Sequence, residues 1–240
     1  MSGHSKWATI KRQKGATDAK RGVLFTKLAN AIILAVRDSG DPSPESNFKL
    51  RLTIDKARQS NMPKENIERA IKRGAGEGTG GQLESILYEG FGPGGVGFLI
   101  EALTDNKNRA ASEIRTLLTK FGGSLGEPNS VRWQFNPAGL IWIALDAAQD
   151  RETMEAAAIE AGAEDVQWHD EGVEIITTPE SLAEVQKALT AKGYTISQAE
   201  LGYRAKTPLE ISGTDAGKIV ELSEALDELP DVNSVFSNNS

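Results

Sequence analysis

Cysteine is absent from the 240 residues of the chain. Its absence excludes disulfides, thiolate zinc sites and thiol nucleophiles, and is typical of proteins in a reducing compartment. Long apolar runs are also missing, since none approaches the roughly 18 residues of a membrane span. The first residues lack the apolar core of a secretory signal, and their Lys-rich, Gly-broken charge differs from a mitochondrial presequence. We therefore expect a cytoplasmic protein with no membrane partner.

Histidine is scarce, with His4 and His169 far apart in the sequence. The chain has no HExxH, GxSxG, GxxxxGK[ST] or Asp-rich calcium-loop pattern. His169 lies in WHDEG, where we expect an exposed turn residue and not a ligand. Carboxylates such as Glu221, Glu224 and Glu228 fall on predicted exposed helix faces, without the burial that raises the pKa of a general acid. We expect no enzymatic activity, metal, cofactor or small-molecule substrate.

Charge is distributed unevenly along the chain, which has a net charge of −7. Residues 1–73 hold 16 Lys and Arg against 7 Asp and Glu, a net charge of +9. Residues 74–240 have a net charge of −16. Such asymmetry indicates a nucleic-acid partner, and the alternative is that the two parts attract one another.

The first 22 residues, MSGHSKWATIKRQKGATDAKRG, form a segment that we call the N-terminal arm. Its cations would neutralise phosphates without reading base sequence, and its glycines would let it follow a surface. Trp7 could stack on an unpaired base or pin the arm to a helical core, and the sequence leaves both open. The cations of the arm are Lys6, Lys11, Arg12, Lys14, Lys20 and Arg21.

Three amphipathic helices are predicted within the basic part of the chain. Apolar spacing indicates helices from Asp18 to Asp38, from about Asn47 to Gln59, and from Pro63 to Arg73. The dense glycine of GAGEGTGG, residues 74–81, then predicts a flexible linker. The basic part is therefore expected to be a three-helix domain.

Cations of these helices extend the predicted nucleic-acid interface, which also includes His4 and Trp7. The short turn between the second and third helices permits a helix-turn-helix interpretation. However, the third helix offers only Asn66 and Arg69 as base-reading side chains, so binding to the phosphate backbone is favoured. The helical cations are Lys27, Lys64, Arg69, Lys72 and Arg73.

Strand and helix patterns alternate beyond residue 81. Segment 139–200 follows the β-α-β-β-α-β order of ferredoxin-like domains. The flanking segments provide a second such set, with strands expected at 96–103, 130–135, near 201–208 and at 232–236. We predict an α+β fold with a basic helical domain (1–73), a Gly-rich linker (74–81), a ferredoxin-like domain (82–136 plus 201–240) and a similar domain inserted at 137–200.

The stretch GFGPGG, residues 90–95, matches the G-x-G-x-x-G pattern of dinucleotide-binding loops. It precedes a strand and does not open a helix, so we reject nucleotide binding. Two interpretations stay open: a tight turn, or a projecting loop whose backbone approaches RNA or a protein partner. The residues concerned are Gly92, Pro93, Gly94 and Gly95.

Four stretches resemble a known family: GHSKWATIKRQKGATDAKRG, LRLTIDKARQSNMPKENIERAIKRG, YEGFGPGGVGFLIEALTDNKNR and AGAEDV. They are similar to the YebC family, also called PmpR-like, which includes the mitochondrial translational activator of cytochrome oxidase subunit one. The resemblance covers nearly the whole chain. It implies a cytosolic three-domain protein that is helical first and α/β afterwards.

The resemblance implies a regulator of gene expression with two alternative partners. Family members have been labelled DNA-binding transcriptional regulators, whereas relatives are described as ribosome-associated factors that help peptide-bond formation through proline-rich stretches. The acidic remainder and the flexible arm favour ribosomal RNA over a uniform DNA duplex. We expect a ribosome-associated factor, with a DNA-binding regulator and a protein-interaction module as alternatives. No pattern defines the oligomeric state.

Overall fold

The structure, a computed structural model, describes residues 18–77, 83–144, 150–169 and 172–239, with side chains from Arg21 onward. These residues form three helices followed by two four-stranded antiparallel sheets, each with two further helices. The predicted fold class is confirmed: a helical region comes first, and the segment forming the second α/β sheet interrupts the segments forming the first.

The three N-terminal helices are α1 (Asp18–Ser39), α2 (Phe48–Gln59) and α3 (Lys64–Gly74). Asn47 caps α2, since its side-chain oxygen accepts a hydrogen bond from the Leu50 amide at 3.0 Å. Its amide group also donates to the Ala35 carbonyl at 2.9 Å, which ties α2 to α1. The shared core of the three helices includes Leu28, Ile32, Val36, Leu50, Ile54 and Ile67.

Gly74, expected to begin the linker, is instead the last residue of α3. A Cβ there would lie 2.7 Å from the Cβ of Val36 and 2.9 Å from the Ile33 carbonyl oxygen. Glycine is required because α3 approaches α1 this closely. Positions 78–81 of the predicted linker lie outside the described residues.

The first sheet contains β1 (Glu84–Phe91), β2 (Gly97–Thr104), β3 (Ser124–Leu125) and a late strand that we number β8 (Val232–Ser237). Its strand order is β3-β1-β2-β8. Helices α4 (Lys107–Lys120) and α7 (Thr214–Asp227) contribute to the same core. That core includes Phe98, Ile100, Ile114, Leu118, Ile219 and Leu222.

Two strand predictions for this sheet were wrong. Strand β1 was missed, since its residues change from exposed to buried along the strand and do not alternate regularly. The segment predicted as a strand at 130–135 instead forms a 3₁₀ turn at Arg132–Gln134 before the next strand begins.

The second sheet has the ferredoxin-like order, with elements following one another as β-α-β-β-α-β. Its elements are β4 (Phe135–Ala144), α5 (Arg151–Glu160), β5 (Asp165–His169), β6 (Gly172–Thr177), α6 (Leu182–Ala191) and β7 (Gln198–Ala205). The strand order is β5-β6-β4-β7. The strand expected near 201–208 therefore belongs here and not to the first sheet.

His169 also differs from its predicted setting, because it lies at the end of β5 and not in an exposed turn. Its ring is half-buried, and its centroid lies 5.2 Å from that of Trp142. This contact gives His169 a packing role within the second sheet.

The chain divides into two compact units. One ends at Gln134 and resumes at Ala205, and the other is Phe135–Arg204. Within the described ranges, no helix combines the length and apolar character needed to cross a membrane. The same ranges contain no group of three or more His, Asp or Glu side chains placed to hold a metal ion.

Candidate nucleic-acid interface

Most of the predicted arm lies outside the described residues. Lys20 belongs to α1, where only the backbone is described, and Arg21 is exposed on the same helix. The described interface therefore begins at Arg21 and continues with α3. The predicted residues outside it are His4, Lys6, Trp7, Lys11, Arg12 and Lys14.

Three cations near the end of α3 share one helix face, and we call Arg69, Lys72 and Arg73 the α3 cluster. Their spacing of three and four residues places them side by side. Arg69 and Lys72 are exposed, and Arg73 is half-buried. Arg69 donates to the Asn66 side-chain oxygen at 3.3 Å. The helix C-terminus, with its partial negative charge, stabilises these cations.

No carboxylate of the described residues forms an ion pair with the α3 cluster. Lys64, on the same helix, differs because its ammonium lies 3.5 Å from the Glu68 carboxylate. The α3 cluster therefore has positive charge available for phosphate groups.

Lys27 was predicted on the same positive surface, but the structure places it elsewhere. Its side chain is 9% exposed, and its ammonium donates to the Asp227 carbonyl oxygen. The ammonium also lies 3.7 Å from the Asp227 carboxylate. Asp227 ends α7, where carbonyl groups lack helical partners. Lys27 thus joins α1 to α7 and does not face a partner.

The glycine-rich stretch joins β1 to β2 through a tight turn. The Gly92 amide donates to the Val96 carbonyl at 2.8 Å, and Pro93 is buried. Gly94 and Gly95 have φ values of 67° and 79°, a left-handed conformation that favours glycine. Both are exposed, so their backbone is the part of the turn that a partner could approach. Contact with RNA or a protein there stays a prediction.

Glu89 carries out a role that its sequence pattern does not indicate. The side chain is buried, and its carboxylate accepts hydrogen bonds from three backbone amides. Oε1 accepts from Asn129 at 2.7 Å, and Oε2 accepts from Val131 at 2.6 Å and Arg132 at 2.7 Å. Burial raises the pKa of Glu89, but the three amides and the positive charge of Arg132 together bring the pKa below its ordinary value.

The segment that Glu89 fixes is residues 126–134, which we call the tryptophan loop. It presents Trp133, whose side chain is 66% exposed. The Trp133 indole N–H donates to the Ser130 carbonyl at 3.1 Å. Because the stretch was predicted as a strand, this exposed aromatic residue was missed as a candidate site.

The first turn of α4 contains Arg109, a cation that is paired with carboxylates of the protein itself. Arg109 Nη2 lies 2.9 Å from Oδ1 and 2.8 Å from Oδ2 of Asp231. It also lies 2.9 Å from Oδ1 of Asp105. The bonds to Asp231 and then to Asp105 raise the pKa of Arg109. The pair links α4 to the start of β8.

Comparisons with known proteins identify similar chains along the full length. Residues 5–77 match the family described as "TACO1/YebC protein N-terminal domain", and residues 83–239 match "TACO1/YebC second and third domain". These matches confirm the resemblance indicated by the four sequence stretches.

Individual relatives agree with these matches. A Dictyoglomus turgidum protein named "Probable transcriptional regulatory protein" is 50% identical over 238 residues, covering 99% of this chain and 95% of the relative. A Thermotoga maritima protein of the same name is 48% identical over 238 residues, covering 99% of this chain and 93% of the relative. The crystal structure of a conserved hypothetical protein from Aquifex aeolicus has a TM-score of 0.89 at 44% identity, covering 98% of this chain and 97% of that one.

Proposed function

Because the chain belongs to the TACO1/YebC family, we propose that it is a non-enzymatic, ribosome-associated factor that relieves stalling on proline-rich stretches. The names of its relatives support a regulatory role. In this proposal the arm and the α3 cluster bind ribosomal RNA. Any acceleration of peptide-bond formation comes from positioning the reacting groups.

The observation that carries the proposal is the availability of the α3 cluster. Cations that lack an intramolecular carboxylate can neutralise phosphates and release counterions, which drives binding to any nucleic acid. The cluster ends the part of the chain with a net charge of +9. Arm and cluster together would form the basic surface.

The geometry of α3 favours RNA backbone binding over DNA sequence readout. Its two candidate base-reading side chains, Asn66 and Arg69, are hydrogen-bonded to one another at 3.3 Å. Direct readout in a major groove needs such groups to face base edges. The remaining net charge of −16 would also be repelled by a uniform duplex unless it faced away.

A DNA-binding transcriptional regulator is the second candidate, and the names of the relatives, which refer to transcriptional regulation, favour it. It predicts nanomolar binding to a defined promoter that survives competitor DNA. A protein-interaction module is the third candidate. It predicts that charge changes in the arm leave function intact.

Reconstituted translation of a message with a proline run tests the proposal. We expect the full chain to shorten the pause at that run, and the variant K11E/R12E/K14E to lose this effect. The message without the run serves as the control template. A full chain that leaves the pause unchanged, or an arm variant as active as the native chain, contradicts the proposal.

A further inference from the structure

We propose that Trp133 is a stacking platform for an unpaired nucleobase of RNA, flanked by phosphate-binding cations at Arg132 and Lys206. This inference rests on the proposed function for the source of the RNA. It adds an RNA contact that depends on bases, whereas the cations of the arm and of the α3 cluster contact phosphates.

The exposure of Trp133 is the first observation. At 66%, its exposed fraction equals that of Ile159 and exceeds those of Leu201 and Leu209, at 40% and 38%. Tryptophan is largely buried on average, because its large apolar ring is costly to leave in water. A partner that covers the ring would therefore gain apolar contact area.

The support beneath Trp133 is the second observation. The buried carboxylate of Glu89 binds three amides of the tryptophan loop, and the Gly126 amide donates to the Glu89 carbonyl at 2.8 Å. A Cβ on Gly97 would lie 2.7 Å from Val131 Cγ1, so this loop packs directly on β2. The exposed ring thus stands on a fixed support, which lowers the entropy lost on binding.

The internal bonds of Trp133 decide which part of it a partner can use. Its indole N–H already donates to the Ser130 carbonyl at 3.1 Å, and its own carbonyl accepts from Lys206 Nζ at 2.7 Å. The flat ring is left as the recognition surface. Flat π surfaces are used for stacking with unpaired bases, whatever the base sequence.

The charge beside the ring favours a nucleic acid over an apolar peptide. Arg132 and Lys206 are both exposed, and the Lys206 amide donates to the Gln134 carbonyl at 2.8 Å, which holds the two segments together. Cations at these positions complement the phosphates on either side of a stacked base. Arg132 also interacts electrostatically with the buried Glu89 carboxylate, and the residue is nonetheless exposed.

Fluorescence anisotropy with the full-length chain tests the proposal. One probe is a labelled oligoriboadenylate of about 12 nucleotides, and the other is an abasic strand with the same number of phosphates. Variants W133A and W133F separate loss of the ring from loss of indole alone. Variant I159A is the matched control, because Ile159 is as exposed as Trp133.

We expect W133A to bind the oligoriboadenylate about 5- to 100-fold more weakly and the abasic strand as the native chain does. W133F should retain most of the preference for bases, and I159A should match the native chain. Variant R132Q/K206Q should bind both probes more weakly than the native chain does, and to the same extent. Equal binding of the oligoriboadenylate by W133A and native chain overturns the inference, as does an equal loss on both probes.

Binding to the abasic strand distinguishes failure of the stacking platform from failure of the proposed function. It reports phosphate binding by the arm and the α3 cluster, which K11E/R12E/K14E should reduce. An arm variant that binds the abasic strand like the native chain contradicts the proposed interface. A base preference that depends on Trp133 would still support the stacking platform.

Discussion

Two helices of the same compact unit hold their cations in opposite ways. In the first turn of α4, Arg109 is bound to both carboxylate oxygens of Asp231 and to Asp105. In the last turns of α3, the cations of the α3 cluster pair with no carboxylate of the described residues. The α4 cation fixes part of the protein to itself, whereas the α3 cations are available to another molecule.

The comparison indicates that a positive residue is a stronger candidate for contact with a partner molecule when the fold supplies no carboxylate to neutralise it. Lys27 is a second example of a paired cation, within the basic part of the chain, because its ammonium contacts Asp227. The composition indicates that the basic part of the chain binds a polyanion. The ion pairs within the protein then determine which of its cations are available for that binding.

The largest expected effect is on RNA affinity. Replacing the whole α3 cluster, as R69Q/K72Q/R73Q, should weaken binding to ribosomal RNA about 10- to 100-fold, because three phosphate contacts are lost. The slope of log affinity against log salt should become shallower by about 2 to 3 for the same reason. Filter binding across a salt series measures both.

The matched control for this variant is K49Q/R51Q/R58Q on α2, which removes the same charge. Lys49 and Arg58 pair with Asp38 and Asp55 at 2.7 and 3.7 Å. Arg51 has no ion pair among the described residues, but its Nη1 donates to the carbonyls of Pro44 and Glu45 at 3.2 and 3.3 Å. Cations with such partners should contribute less to RNA binding, so we expect less than about 3-fold weakening. Equal losses of RNA affinity in the two triple variants would show that affinity depends on total charge and not on whether the cations are paired within the protein.

The next largest expected effect is on stability, at the ion pair between Arg109 of α4 and Asp231. Asp231→Asn should lower the free energy of unfolding by about 1.5–3 kcal/mol, because a nearly buried carboxylate loses its charged bonds to Arg109. RNA affinity should stay unchanged. Urea denaturation measures the loss, and Asp105→Asn, at an exposed partner of the same arginine, should cost less than about 1 kcal/mol.

Glu89 extends the comparison to a carboxylate that is held by backbone amides. Glu89→Gln should lower the free energy of unfolding by about 1–2 kcal/mol at neutral pH, because the amide side chain replaces a charged acceptor of three N–H groups. Glu221→Gln, at an exposed position of α7, is the control and should change stability by less than about 0.5 kcal/mol.

The pH dependence of the Glu89 contribution follows from its lowered pKa. A folded-state pKa below the unfolded value means that the stabilisation is fully present above the unfolded pKa of about 4.3. It is lost as the pH falls through the lower, folded-state pKa. The stability difference between native chain and variant should therefore be constant above about pH 5 and shrink at lower pH. A difference that grows in acid would refute this assignment.

The last expected effect, similar in size to that at Glu89, compares two lysines of the helical region. Lys27→Met should destabilise the protein by about 1–2 kcal/mol, because the nearly buried ammonium leaves the end of α7 without its donor. Lys49→Met should cost less than about 0.5 kcal/mol, since its ion pair with Asp38 is exposed to water. Thermal unfolding of both variants measures the difference, and equal costs would argue against a joining role for Lys27.

The helices of the fold could be predicted because their signals are local. Periodic apolar residues define α1, and Asn47 and Pro63 mark where α2 and α3 begin. The order of elements in the second sheet was also predictable, since each strand and helix has its own local pattern, although β4 pairs with β6 and β7, which are distant in sequence. Strand β1 was not, because its burial depends on pairing with β2 and not on an alternating pattern.

The candidate site was predictable only in part. The α3 cluster follows from helical spacing, but the burial of Lys27 depends on Asp227, which lies 200 residues away. The exposure of Trp133 depends on the bonds between Glu89 and the tryptophan loop, across about 40 residues. A single sequence contains no signal for either long-range contact.

Sedimentation of purified ribosomes with the full chain through a low-salt gradient tests the central claim most directly. The account predicts that the native chain and K49Q/R51Q/R58Q sediment with ribosomes, whereas R69Q/K72Q/R73Q and K11E/R12E/K14E stay largely near the top of the gradient. A native chain that remains at the top, even with ribosomes stalled on proline runs, would contradict it.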